Sequence, residues 1–395
     1  MNSVTTTNSV TTTNNGKDTS STVVIGGGIA GVTTAFHLAR RGARVTLVDD
    51  GGFGQATAAS AGIIAPWVSS SEGGFYEAYA AGGNYYPEFL SQLETLGIPE
   101  LGYRRSGALM VSADAAEVDA VEERIAGRVR DAGPVAGTVE RVDGARAQRL
   151  FPALAPGLSG LLVTGGGRVD GRILRDAALT GAIAFGARHL VDSVIGLDSS
   201  AAGWRVRTTT ADLDADAVVV AAGARVTDLL GRLDLRAGIS PQRGQIVHLG
   251  LPGVNTSPWP TLHPFADHYM TPFDGGRIAV GATRETGSGF DARVTAAGQL
   301  SVLSKALELA PGLAEATVLE TRVGIRPMSD SQLPLVGRVP GEDGLWLVAG
   351  YGAGGLTMGP LLGDAVARDV LGEAAPELDA FTVAVERRAG GGRAR

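Results

Sequence analysis

The chain of 395 residues is 44% hydrophobic and 19% charged, enough for one large or two ordinary domains with a sizeable core. A net charge of -7 and the lack of any dense Lys or Arg run argue against a nucleic-acid surface. Without cysteine there is no disulfide framework, thiolate metal site or cysteinyl cofactor link, and the scattered histidines show no metal-ligand spacing.

The chain opens on a repeat, Asn2 to Thr7 and then Asn8 to Thr13, with neither a charged start nor an apolar centre. It predicts a disordered tail over 1–20 rather than a secretory signal. Order begins at Val23-Val24-Ile25, a short apolar run suited to a strand covered on both faces. Gly26 is placed for a tight turn, Gly28 for close approach of a pyrophosphate, and Gly31 for close packing of the following helix. That helix, with Ile29 and Ala30 in its first turn, aims its free N–H groups and positive dipole end at phosphate. A second strand ends at Asp49 and Asp50, where a carboxylate accepts hydrogen bonds from ribose hydroxyls. Strand, glycine turn, helix, strand and acid together predict dinucleotide binding.

Next comes a run of small residues from Ala56 and Thr57 to Ala61, Gly62 and Ile63, which lets backbone lie flat against something planar. A helix is predicted from Tyr76 to Leu96, kinked or split at Pro87. A short strand over 108–111 and a charged helix over 113–130 follow. Strands resume from His189 through Trp204, and an apolar strand from Ala217 stops at Ala222-Gly223, as a buried parallel strand does at a ligand. Alternation over 246–249, 269–272 and 277–281, with a hairpin turn at Asp274-Gly275-Gly276, predicts an antiparallel layer. The stretch from Gly344 to Gly363 carries no charge, but its glycines and Pro360 read as strand, turn and helix rather than a membrane span. The chain is accordingly expected to be cytoplasmic, with no integral span.

The predicted class is α/β. A discontinuous Rossmann-like part is expected over 21–75, 155–235 and 325–380, with an inserted α+β part over 76–154 and 236–324 built on an antiparallel sheet. The last residues, 386–395, are expected to be loose.

In this order the motifs resemble those of FAD-dependent amino-acid oxidases and dehydrogenases, which include glycine oxidase, D-amino-acid dehydrogenase and sarcosine oxidase. The resemblance spans roughly Val23 to Leu371. It is carried by Gly26-x-Gly28-x-x-Gly31 with Asp49, Ala59-Ser60-Ala61-Gly62-Ile63, Val220-Ala221-Ala222-Gly223, Arg243-Gly244-Gln245 and Tyr269-x-x-Pro272. Gly281-Ala282-Thr283, Gly324-Ile325-Arg326-Pro327 and the glycines before Thr357 complete it.

The resemblance implies non-covalent FAD, its pyrophosphate on the first helix and its flavin between the two parts. Thr57, Ala61, Gly62 and Ile63 would line the flavin and phosphate side, and Val194 the adenine end. Gly354, Gly355, Leu356 and Thr357 would put a helix N-terminus near the flavin's N1–C2 edge, where the reduced ring is anionic. It also implies that Arg326 grips a substrate carboxylate and that the Tyr269 hydroxyl reaches the same carboxylate. For Arg326 the other reading is a structural arginine before a proline turn, and for Tyr269 a core aromatic. Arg243 reads as structural. The implied reaction is oxidation of an amino acid's C–N bond, a hydride passing from Cα to flavin N5 and the imine then hydrolysing. A D-amino acid, a glycine-like one or an N-substituted one would serve, with oxygen or another acceptor taking the electrons and a homo-oligomer possible.

The chain departs twice from the pattern of the family it resembles. Ala353 stands where glycine oxidase has an arginine, and no lysine is placed like the oxygen-activating lysine of sarcosine oxidase. Other readings stay open at this point: a flavoenzyme acting on a secondary or cyclic amine in a biosynthetic pathway, a nicotinamide-dependent reductase, or a non-catalytic dinucleotide-binding subunit.

Overall fold

A computed structural model describes residues 20–200, 203–266 and 268–387; of the tails expected over 1–20 and 386–395, residues 1–19 and 388–395 lie outside them. The helices are α1 (Ile29–Arg40), α2 (Gly73–Glu94), α3 (Ala115–Ala132), α4 (Gly144–Leu150), α5 (Gly171–Ala184), α6 (Val226–Gly231), α7 (Ala296–Leu309) and α8 (Gly355–Val370).

Two sheets organise the rest. The six-stranded sheet runs in the order Leu335–Arg338, Leu345–Ala349, Ala217–Val220, Ser21–Ile25, Arg44–Asp49, Arg188–Val191. Its pairs are parallel except the first, so the C-terminal ends of the parallel strands open on one edge. The apolar runs Val23–Ile25 and Val218–Val220 are buried because helices cover one face and a second cluster, including Trp204 and Leu230, the other. The nine-stranded sheet contains the long strand Ile239–Gly250 next to one of its edges. On one side this strand pairs with Thr317–Ser329. On the other it pairs with both Glu285–Thr286 and Arg277–Gly281, and beyond Arg277–Gly281 lie Tyr269–Pro272, Thr261–Pro264, Ala108–Ser112, Ser159–Val163 and Val139–Val142 in turn. Within it the pairing of Thr261–Pro264 with Ala108–Ser112 is parallel. The predicted turn at Asp274–Gly276 does join two antiparallel strands.

Small residues set how closely α1 packs. A Cβ at Gly363 of α8 would collide with the Thr33 hydroxyl, and one at Gly181 of α5 would lie 2.8 Å from the Phe36 ring. The Thr33 hydroxyl donates to the carbonyls of Ile29 (2.7 Å) and Gly359 (3.0 Å), tying α1 to α8.

Of the kink or split expected at Pro87, the split is absent: α2 runs on through the proline, which lies inside it. Packing on both sides of the proline holds it. Gly82 lies against the backbone of Thr357 and Met358, Tyr86 donates to the Leu356 carbonyl at 2.6 Å, and Phe89 and Leu93 are fully buried. These contacts also put α2, assigned from sequence to the inserted part, into the same core as α1 and α8. Conversely, Ser159–Val163 pairs inside the nine-stranded sheet. Glu386 and Arg387, expected to be loose, pair with Leu235–Ala237, and Arg387 meets the buried Glu342 carboxylate at 2.7 Å.

Candidate active site

A cleft of about 1120 Å³ separates the open edge of the six-stranded sheet from the nine-stranded sheet. The crevice beyond the carboxyl ends of parallel strands is where such folds place ligands.

On the first wall Gly26 turns with φ of 107°, a conformation open to glycine, and a side chain there would strike the Ala221 carbonyl. Gly31 lies behind the turn, where a Cβ would overlap the Gly26 carbonyl oxygen. It permits close packing, as expected, but does not itself line the cleft. Gly28, Ile29 and Ala30 do line it, as do Ala222 and Gly223. Asp49 accepts from the N–H of Gly27 at 2.5 Å and of Gly51 at 3.0 Å, and Asp50 accepts from the Ser193 hydroxyl at 2.8 Å beside Val194. The Thr57 hydroxyl accepts from the Ile29 N–H at 3.0 Å, and Ala56, Ala61, Gly62 and Ile63 continue the wall.

Two residues here escaped the sequence reading. Gly27 is needed because a Cβ would lie 2.6 Å from the Asp49 carboxyl carbon. Arg175 of α5 donates to the Gly27 carbonyl at 2.9 Å and stands 3.8 Å from Asp49. No motif marks Arg175, since only the fold brings α5 under the loop.

α8 starts at the same cleft. Gly355 and Leu356 line it, whereas Gly354 and Thr357 do not. A Cβ at Gly354 would press on Met358, Phe75 and Tyr79, and the buried Thr357 hydroxyl donates to the Ile63 carbonyl at 3.3 Å. Both shape the helix start from behind. The first turn of α8 holds no acidic side chain, so the positive end of its dipole is uncompensated there.

On the opposite wall Arg326 donates to Gln242 Oε1 at 3.3 Å and to the Thr283 carbonyl at 3.0 Å. Its guanidinium fills the space a side chain at Gly244 would need. Tyr269 is hydrogen-bonded to Arg326, and burial raises its phenol's pKa despite that charge, so it remains a neutral donor. The structure thus brings Arg326 and Tyr269 together on the cleft. Arg243 is structural, as expected: it donates to Glu285 at 2.6 Å and pairs with Asp291 at 2.8 Å. His263 and His268, unassigned from sequence, also line the cleft, and burial lowers each imidazole to about 4.

The FAD dependent oxidoreductase (DAO) family model matches residues 21–368. The chain belongs to this family. This FAD dependent oxidoreductase is similar to the crystal structure of iminodiacetate oxidase from Chelativorans sp. BNC1. The two are 45% identical with a TM-score of 0.88, over 92% of this chain and 98% of that one. Glycine oxidase of Pseudomonas putida is 30% identical over 383 residues, 93% of this chain and 99% of the relative. An uncharacterized oxidoreductase of Bacillus subtilis is 43% identical over 355 residues, 89% and 95% of the two chains.

The chain is therefore an enzyme of FAD-dependent amine or amino-acid oxidation, which removes the nicotinamide and non-catalytic readings. The cleft suits the cofactor: the N-termini of α1 and α8 both open into it, and glycines cradle the backbone between them. Among the described residues no helix is long and apolar enough to cross a membrane.

Proposed function

We propose that this enzyme oxidises the C–N bond of a glycine-like amino acid carrying a substituent on nitrogen, using non-covalently bound FAD. One observation carries the reading: Arg326, laid over Gly244 and fixed by neutral acceptors, presents its charge beside the neutral Tyr269 hydroxyl. That pair suits a carboxylate, with a guanidinium and a phenol donating to it together. The iminodiacetate oxidase relative, named for a secondary amine flanked by carboxylates, supports the N-substituted choice.

Gly26, Gly28 and the first turn of α1 would hold the cofactor's phosphates, and the Asp49 carboxylate its ribose. Gly355 and Leu356 would face the flavin. Bound FAD supplies the two-electron acceptor. Arg326 and Tyr269 orient the substrate by its carboxylate, which positions Cα without a strong base. The cationic guanidinium disfavours a protonated amine nearby, so the nitrogen is held with its lone pair free to form the C=N bond as the Cα–H bond breaks. Water then adds to the released imine, giving an oxo acid and the remaining amine.

The test is a visible absorbance spectrum followed by anaerobic addition of glycine, N-methylglycine, iminodiacetate, D-alanine and a carboxylate-free secondary amine. Loss of the flavin band with the N-substituted glycines, abolished in Arg326→Met, is the expected result. Bleaching by the carboxylate-free amine alone would move the assignment to a plain amine, and a preference for D-alanine would move it to D-amino acids. Turnover in air against turnover with an artificial acceptor decides what takes the electrons.

A further inference from the structure

The cleft does not stop at Tyr269. Register across the nine-stranded sheet sets Tyr269 opposite Gly281 and, on the other side, puts it in line with His263, because Leu262 pairs with Met270. His263 in turn pairs with Met110, and Ile246 with Gly281. Residues directly opposite share a face, so Ile246, Tyr269, His263 and Met110 form one transverse row, and all four line the cleft. From Tyr269 to Met110 the row crosses two strand spacings, about 10 Å.

Beyond Met110 the wall is α3, whose Val118, Ile125 and Val129 pack on Met110, Leu161 and Val163. Val121 and Arg124, one turn apart on that helix, face the cleft. Arg124 donates to the Ser69 carbonyl at 2.8 Å, a neutral partner, and forms no ion pair with a carboxylate among the described residues. Arg128 donates to the same carbonyl at 2.6 Å and to that of Ser71 at 2.6 Å, so the segment supporting Arg124 is itself fixed. The cleft therefore carries the Arg326 guanidinium beside Tyr269 and the Arg124 guanidinium beyond Met110, with a neutral imidazole and a thioether between them.

Resting on the proposed function, the geometry points to a dianionic substrate: an N-substituted glycine whose substituent is an apolar chain ending in an acid group that meets Arg124. Iminodiacetate, whose two carboxylates lie closer together than the length of this row, is the shortest member of that class rather than its best fit. Arg124 is then a specificity-determining residue.

The test uses the holoenzyme and pairs of N-alkylglycines of increasing length, one of each pair ending in a carboxylate and the other in a methyl group. The ratio of kcat/KM, acid over methyl, is expected to rise with length past iminodiacetate to about tenfold or more. Arg124→Gln should bring that ratio back toward one, and Arg124→Lys should retain most of it. Unchanged flavin absorbance in both variants shows that they fold. No preference for the acid end at any length, or equal loss on both members in Arg124→Gln, overturns the inference while N-alkylglycine oxidation stands. Oxidation of neither member at any length would instead overturn the proposed function beneath it.

Discussion

The guanidinium of Arg326 lies where a side chain on Gly244 would sit. The two residues are in adjacent antiparallel strands, with Gln242 directly opposite Arg326 and Gly244 opposite Gly324. A methyl group at 244 has to push the guanidinium off its acceptors at Gln242 and Thr283. Gly244→Ala should therefore lower kcat/KM for carboxylate substrates by about tenfold or more, and Arg326→Met by about 100-fold or more. Steady-state kinetics beside an unaltered flavin spectrum checks both. Loss of flavin instead would show that this wall holds the cofactor.

Gly31 is a packing residue whose failure would be felt at the cofactor. A Cβ there overlaps the Gly26 carbonyl, so α1 must move away from the turn it follows. Gly31→Ala should cost about 1–3 kcal/mol of stability and weaken FAD retention. Thermal unfolding with and without added FAD measures both. An unshifted midpoint would mean that the turn gives way freely.

Asp49 serves the protein before it serves any ligand, because the Gly27 and Gly51 N–H groups both donate to it. Asp49→Ala removes those acceptors and, on the proposed reading, a ribose contact. FAD affinity should fall about tenfold to 100-fold. Arg175→Ala, which frees the Gly27 carbonyl but touches no ribose by this account, should fall less. Fluorescence titration of the apoprotein with FAD ranks the two, and a larger loss in Arg175→Ala would contradict the assignment.

His37 sets part of the acid limit. It is fully buried between Phe36 and Phe89, with Nδ1 3.1 Å from Asp364, whose carboxylate also meets Arg41 and Arg368. Burial lowers the imidazole from 6.5 to about 3. Between those values the unfolded chain binds the extra proton, so the contribution is complete above about pH 6.5 and is lost as pH falls toward 3. His37→Phe should flatten the decline of Tm between neutral pH and pH 4. Parallel declines for mutant and parent would assign the acid sensitivity elsewhere, His248 being the next candidate with the same sign.

Some features were legible because their causes are local. The apolar run Val23–Ile25, the turn at Gly26 and the acid Asp49 lie within one short unit, so spacing alone announced a dinucleotide site. Alternation and the Asp274–Gly276 turn announced the antiparallel layer in the same way. Sequence could not show that Gly354 and Thr357 face away from the cleft, since that depends on α2 pressing against the start of α8. Pro87 reads as a kink or a split because the bonds it forfeits are local, while the contacts that keep α2 whole come from residues far along the chain.

What the sequence indicated by itself is a dinucleotide cofactor, through short motifs whose geometry is set by neighbouring residues, while the flavin and the family came from the resemblance that those motifs carry in order. What only the tertiary structure decided is the extent of the cleft. Met110, Arg124, His263, Tyr269 and Arg326 come from separate segments. They line one cleft because strand register and the packing of α3 carry them there, and no local spacing encodes that arrangement.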